Sequence, residues 1–290
     1  MAIDVLQDKI RKLKNPSMID FGVLEEYVPP FLLEEEGAFL KAYGRFCASL
    51  MSELKEVVPA IRFSFSTFAL YGAEGLILLQ DLMNHAKEYG FYVVLDAPQV
   101  LSSWEADRAT RLLETASYPC DALVVSAYIG TDGIKPFVPV CKKMGKDLFV
   151  IVRSPNKSAA EIQDLLTGSR HVHIAAADLV SRHGTETIGK CGYSQIGALA
   201  SAGNASSLKN LRAKYSRMFL LVDGLDYPSG NAKNCSFAFD KFGHGAIVCA
   251  GPSVTAAWEE AQTDGRDYLA QAKLAADRMK KNITRYITVL

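Results

Sequence analysis

Eight short apolar runs recur along the 290 residues, and helical patterns separate most of them. A chain of this kind has few solutions, because each apolar strand and each amphipathic helix must bury its face against another layer. The runs lie at 18–21, 60–65, 91–95, 122–126, 148–152, 196–200, 218–222 and 246–250. FYVVL and LFVIV are continuously apolar rather than alternating, which marks strands buried on both faces of a parallel sheet. Between them, Phe39, Tyr43, Phe46, Cys47, Leu50, Met51 and Leu54 form one stripe at helical spacing, as do Tyr268, Ala272, Ala275, Met279, Ile283 and Ile287. Ser102 and Glu105 are spaced as a capping box for the helix after the third run.

Eight alternations in one chain favour a closed (β/α)8 TIM barrel of α/β class over an open doubly wound sheet, the competing arrangement. No linker or low-complexity stretch interrupts them. The expected organisation is a single barrel domain over 1–290, with an amphipathic helix at 1–16 and a C-terminal helical segment at 254–290. The N-terminal helix is interrupted by charges, unlike a signal peptide, and no apolar run approaches the roughly 20 residues of a membrane span.

Composition limits the partners. The 32 basic and 32 acidic side chains cancel, which argues against nucleic acid and anionic membranes as partners, since both need a basic excess. A small-molecule ligand remains open, because a few local charges suffice for it. The six cysteines show no Cys-x-x-Cys spacing, so neither a metal nor a cofactor is expected, and reduced thiols in a cytoplasmic protein are. His171 and His173 lie in a polar stretch and are expected at the surface.

In such a barrel the site lies at the C-terminal ends of the strands. That rule selects Asp20, Arg62, Asp96, Ser126, Tyr128, Arg153, Asn156, Ser201, Asn204, Asp223, Asp226 and the turn 249–253. Charges of both signs suggest a polar cleft, with Asp96 and Arg62 expected to pair. Trp104 is suited either to stack on a ligand or to fill space.

Several stretches, in order along the chain, carry a family resemblance. VVPAIRFSFSTFALYGAEGL, FYVVLDAPQVLSSWEADRA, DALVVSAYIGTDGIKPF, LFVIVRSPNKSAAEIQDL and FDKFGHGAIVCAGPS resemble the longer bacterial orotidine 5′-monophosphate decarboxylases. The resemblance implies a (β/α)8 barrel, a nucleotide substrate, no cofactor and a homodimer with shared sites. It also implies an Asp-x-Lys-x-x-Asp signature after the third strand and a lysine closing the second, with the signature lysine protonating the ring carbon as carbon dioxide leaves.

Here Asp96 matches the first signature aspartate, but Pro98 stands at the lysine and Leu101 at the last aspartate, while Arg62 holds the second-strand lysine position. Proline has no proton to give, and arginine, with a pKa above about 12, is a poor acid near neutrality. The family's first-strand aspartate aligns with Gly22. Its phosphate loop reads DGLDYPSG, ending on Gly230, and its phosphate-clamping arginine is replaced by Pro252 beside Ser253. The expected remnant site is Asp96 and Arg62, with Asp20, Tyr128, Arg153, Asp223, Gly230 and Ser253 toward the ligand.

Three functions follow. The leading one is a barrel that has lost decarboxylation, as a pseudoenzyme or a binder of another small molecule. The second is an active decarboxylase in which Lys135, Lys157, Lys233 or Lys241 supplies the acid and Arg153 or Lys233 takes the phosphate. The third is another barrel lyase or isomerase.

Overall fold

Alternate residues of a strand face opposite ways, so an apolar run of five serves two cores at once. A computed structural model of the chain describes residues 1–22, 25–97 and 102–289 and shows both cores. The barrel strands are β1 (Ser17–Phe21), β2 (Ala60–Ser64), β3 (Tyr92–Asp96), β4 (Ala122–Ser126), β5 (Asp147–Ile151), β6 (Ile196–Ser201), β7 (Leu220–Asp223) and β8 (Ala246–Ala250). All pair in parallel in chain order, and β1 pairs with both β2 and β8, closing the barrel. Each expected run falls on one strand, shifted by at most two residues at an end.

Met18, Ala60, Val94, Val124, Phe149 and Leu221 point inward and pack in layers. Ile19, Ile61, Val93, Leu123 and Leu220 point outward against the helical ring. The stripe at 39–54 is a helix, Phe39–Leu54, whose Tyr43, Phe46, Leu50 and Leu54 are buried against that outer face. The C-terminal stripe ends earlier than its apolar spacing suggests, at Thr284 of Tyr268–Thr284, so Ile287 packs from outside the helix.

The N-terminal helix, Ala2–Leu13, contributes Ile3, Leu6 and Ile10 to the inward cluster, and the Ala2 N–H donates to Gly145 O just before β5. It therefore closes the N-terminal end of the barrel. Each such buried aliphatic side chain is worth about 1.5–3 kcal/mol. The barrel interior is left open toward the opposite mouth. Among the described residues no helix is long and apolar enough to cross a membrane.

One element has no counterpart in the apolar pattern. Leu166–Thr167 and Arg170–His171 form a two-stranded antiparallel hairpin in the loop after β5. Its strands are two residues each and exposed, too short for period-two patterning to register.

Candidate active site

The parity that buries Met18, Ala60, Val94 and Leu221 inside the barrel also turns the side chains two residues later inward. These are Asp20, Arg62, Asp96 and Asp223, at the C-terminal mouth. Asp20 and Arg62 are register partners across β1 and β2. Arg62 is 7% exposed, and its Nη2 donates to Asp20 Oδ2 at 2.7 Å. Its Nη1 lies 3.1 Å from Asp223 Oδ2. One guanidinium thus bridges β1 and β7 through the barrel interior.

The expected Asp96–Arg62 hydrogen bond is not formed: Nη2 donates to Asp20 and also to Asp223 Oδ1 at 3.2 Å, and Nη1 meets Asp223 as an ion pair without a hydrogen bond. Asp96 Oδ1 is buried without a partner among the described residues. Burial pushes the Asp96 carboxyl up to about 6, with Asp20 and Asp223 adding to the rise and Arg62 opposing it. Pro98 and Leu101, the two signature replacements, lie outside the described residues. The Gly22 carbonyl accepts from Tyr43 Oη at 2.9 Å, and the first-strand carboxylate at the mouth is Asp20.

The loop after β7 closes the adjoining side. Gly224 has φ +82°, and a Cβ there would stand 2.3 Å from Pro155, so only glycine fits this turn. Gly230 is equally confined, since a Cβ would meet Leu225 O at 2.1 Å; it shapes the loop rather than the cleft. Between them, Asp226 folds back so that its Oδ2 accepts the Gly251 N–H at 2.6 Å and the Ser253 N–H at 3.4 Å. These backbone donors lie in the loop after β8. The loops after the seventh and eighth strands are where barrels of this kind commonly hold phosphate. Here an internal carboxylate takes the donors.

Two cavities open at the mouth on either side of Tyr227. One, of about 130 Å³, includes Asp20, Arg62, Asp223 and Asp226 in its wall. The other, of about 360 Å³, includes Arg153, Lys157, Ser201 and Asn204. Arg153 reaches this cavity, but Nη2 is held by Asp164 at 2.9 Å and Nη1 by Ser154 O at 3.2 Å, with Nε buried and unpartnered. Asp164 also lies 3.4 Å from His173 Nδ1. His173 is buried, contrary to the surface expectation, because it stacks on His171 at 5.3 Å beneath the hairpin. Burial pulls its pKa down, against the pull of Gln163 O and Asp164.

The other sequence candidates separate. Tyr128 is 85% exposed and Trp104, with Arg108 stacked 3.4 Å from its ring, is also exposed. Ser102 Oγ accepts the Glu105 N–H at 3.2 Å, forming the expected cap. Lys241 precedes β8 and so lies at the closed end of the barrel, while Lys135, in a turn after β4, and Lys233, in the short helix Ala232–Cys235 after β7, are exposed. The Asp226 contacts were missed because they depend on how a loop folds back, which no spacing encodes. The Asp20–Arg62 pair was findable from inward parity on adjacent strands.

No family model matches the chain. In sequence it is 24% identical over 286 residues to the orotidine 5′-phosphate decarboxylase of Clostridium acetobutylicum, covering 98% of this chain and 99% of that protein. It is 29% identical over 220 residues to that of Rhodopirellula baltica, covering 71% and 70%. In fold it matches the solved Leishmania donovani OMP decarboxylase with TM-score 0.77 at 20% identity, over 98% of both chains. The Plasmodium berghei orotidine 5′-monophosphate decarboxylase gives 0.81 at 14%, over 98% and 97%. Along nearly its whole length this chain is similar in sequence to orotidine 5′-phosphate decarboxylases, and it shares their (β/α)8 fold.

Proposed function

We propose that this chain is an orotidine 5′-phosphate decarboxylase-like barrel that has given up decarboxylation and binds another small molecule at the same mouth. The observation that carries the reading is Asp226, whose carboxylate takes the Gly251 and Ser253 N–H groups in the loops suited to phosphate. A substrate phosphate there would meet this carboxylate and Pro252 in place of an arginine. Removing one charged hydrogen bond alone costs about 1.5–3 kcal/mol, and like-charge repulsion adds to it.

The chemistry points the same way. Pro98 and Leu101 carry no proton and no charge, and the Arg62 guanidinium is committed to Asp20 and Asp223. Losing a single preorganised group costs about 10² to 10³ in rate, although groups acting as a unit do not add simply. A decarboxylase with a rearranged site is the second reading. It is favoured by Asp96, a carboxyl raised to about 6 and therefore able to hold a proton close to neutral pH.

We also propose that the protein acts as a dimer in the cytoplasm, joined through the mouth. Leu70, Trp104, Tyr128 and Leu166 are large apolar side chains exposed on the segments that follow β2, β3, β4 and β5 in turn. Large apolar side chains exposed toward one end of a barrel favour an interface there. The six cysteines are free, five of them buried, which suits a reducing compartment.

Complementation of a pyrimidine auxotroph tests the main reading. Expression of the folded chain is expected to leave the strain dependent on added uracil. Growth without it would overturn the proposal in favour of the rearranged enzyme.

A further inference from the structure

The two cavities at the mouth have opposite charge. The β7–β8 side carries Asp20, Asp223 and Asp226 against Arg62 alone, with Asp96 close behind the same guanidinium. Arg62 neutralises at most one of these carboxylates, and it is the one cation in this cavity's wall among the described residues. The β5–β6 side includes Arg153 and Lys157 in its wall and no carboxylate. Asp164 balances Arg153 from behind, which leaves Lys157 as the excess charge. Arg153 is more than nine-tenths buried with an Nε donor that no other group satisfies, while on the acidic side the acceptors Asp20 Oδ1 and Asp96 Oδ1 are buried without a partner among the described residues. Groups held in this state favour a ligand that completes them.

The two sides are close. Ser201 on β6 is the register partner of Asp223 on β7, and β6 pairs with β5, whose chain continues into Arg153. Two strand spacings separate the poles, about 10 Å. Tyr227 forms part of the wall of both cavities and is half-exposed, so one ligand can lie along its ring and reach both poles.

We infer that the mouth binds a small zwitterion, with its ammonium group toward Asp20 and Asp223 and its carboxylate toward Arg153 and Lys157. This rests on the reading that the site no longer takes a nucleoside monophosphate. It goes further by naming the ligand's charge pattern. A ligand of one sign satisfies one pole and leaves the other unpaired. A nucleoside monophosphate brings only negative charge to a cleft whose larger excess is negative.

Isothermal titration with γ-aminobutyrate, δ-aminovalerate and ε-aminocaproate, beside n-pentylamine, valerate and uridine 5′-monophosphate, tests this directly. At least one ω-amino acid is expected to bind about ten- to a hundredfold more tightly than either single-charge compound, the worth of one added charged hydrogen bond. Lys157→Glu is expected to weaken the zwitterion and valerate and leave pentylamine unchanged. Asp223→Asn should weaken the zwitterion and pentylamine and leave valerate unchanged; if that variant fails to fold, the Lys157 arm decides alone. Equal binding of the single-charge compounds, or no binding by any of the three amino acids, overturns the inference and leaves the loss of decarboxylation standing. Micromolar uridine 5′-monophosphate binding overturns the underlying reading instead.

Discussion

Asp226 Oδ2 sits 2.6 Å from the Gly251 backbone nitrogen, which ties the loop after β7 to the loop after β8 across the barrel mouth. The contact gives Asp226 a structural role as well as an excluding one. Replacing it with alanine is expected to destabilise the fold by about 1–3 kcal/mol, the usual cost of leaving a partly buried donor unmet. Urea denaturation measures it. Because Pro252 still replaces the arginine, uridine 5′-monophosphate should bind this variant no better than millimolar.

Among the described residues, Arg62 is the one cation shared by Asp20 and Asp223 inside the barrel. Arg62→Met keeps much of its volume but leaves those carboxylates unpaired in a largely dry environment. The expected loss is about 3–5 kcal/mol, the scale for breaking a buried pair from one side. Adding Asp20→Asn and Asp223→Asn to Arg62→Met should recover a large part of it. Denaturation of the single and triple variants checks the pair, and equal stability of wild type and Arg62→Met would show the network to be energetically idle.

Asp96 predicts a pH dependence. Its folded pKa, about 6, is above the ordinary 3.8, so the native state binds the proton more tightly than the unfolded chain. The favourable contribution is complete below about pH 4 and is lost as pH rises through about 6. The shift corresponds to about 3 kcal/mol or less. Asp96→Asn should therefore be more stable than wild type at pH 7, with the gap narrowing as pH falls to 4. Comparing the two proteins removes other titrating groups, such as His173, whose lowered pKa acts in the opposite direction.

Much of this architecture could be read from the sequence, for a physical reason. A strand buried on both faces must be apolar throughout, so all eight runs stood out, and their alternation with helices implied the closed barrel. The mouth residues Asp20, Arg62, Asp96 and Asp223 followed from strand ends alone. Their pairing did not, because ion-pair choice depends on inward parity and distance across the barrel rather than along the chain. Arg62 was assigned to Asp96, yet it reaches Asp20 and Asp223. Tyr128 and His173 were misplaced in opposite senses, one expected in the cleft and found exposed, the other expected at the surface and found buried. Tyr128 lies in a loop and His173 in the first turn of the helix Val172–Gly184, and at both positions burial is set by tertiary packing rather than by local pattern.

The exposed apolar side chains around the mouth carry the dimer prediction. Trp104→Glu together with Leu166→Glu is expected to shift the protein from dimer to monomer at micromolar concentration in light scattering, with the circular dichroism spectrum unchanged. A wild-type protein that is already monomeric there would contradict the proposed interface.

The central claim is the loss of decarboxylation despite an intact barrel. Its most direct test is the absorbance change of orotidine 5′-monophosphate mixed with the purified, folded protein, compared with the same substrate in buffer. The account predicts no decay above the buffer control at micromolar protein over hours. Decay at an ordinary enzyme's turnover, about 1 s⁻¹ or faster, abolished by Asp96→Asn, would contradict it and assign the acid to Asp96.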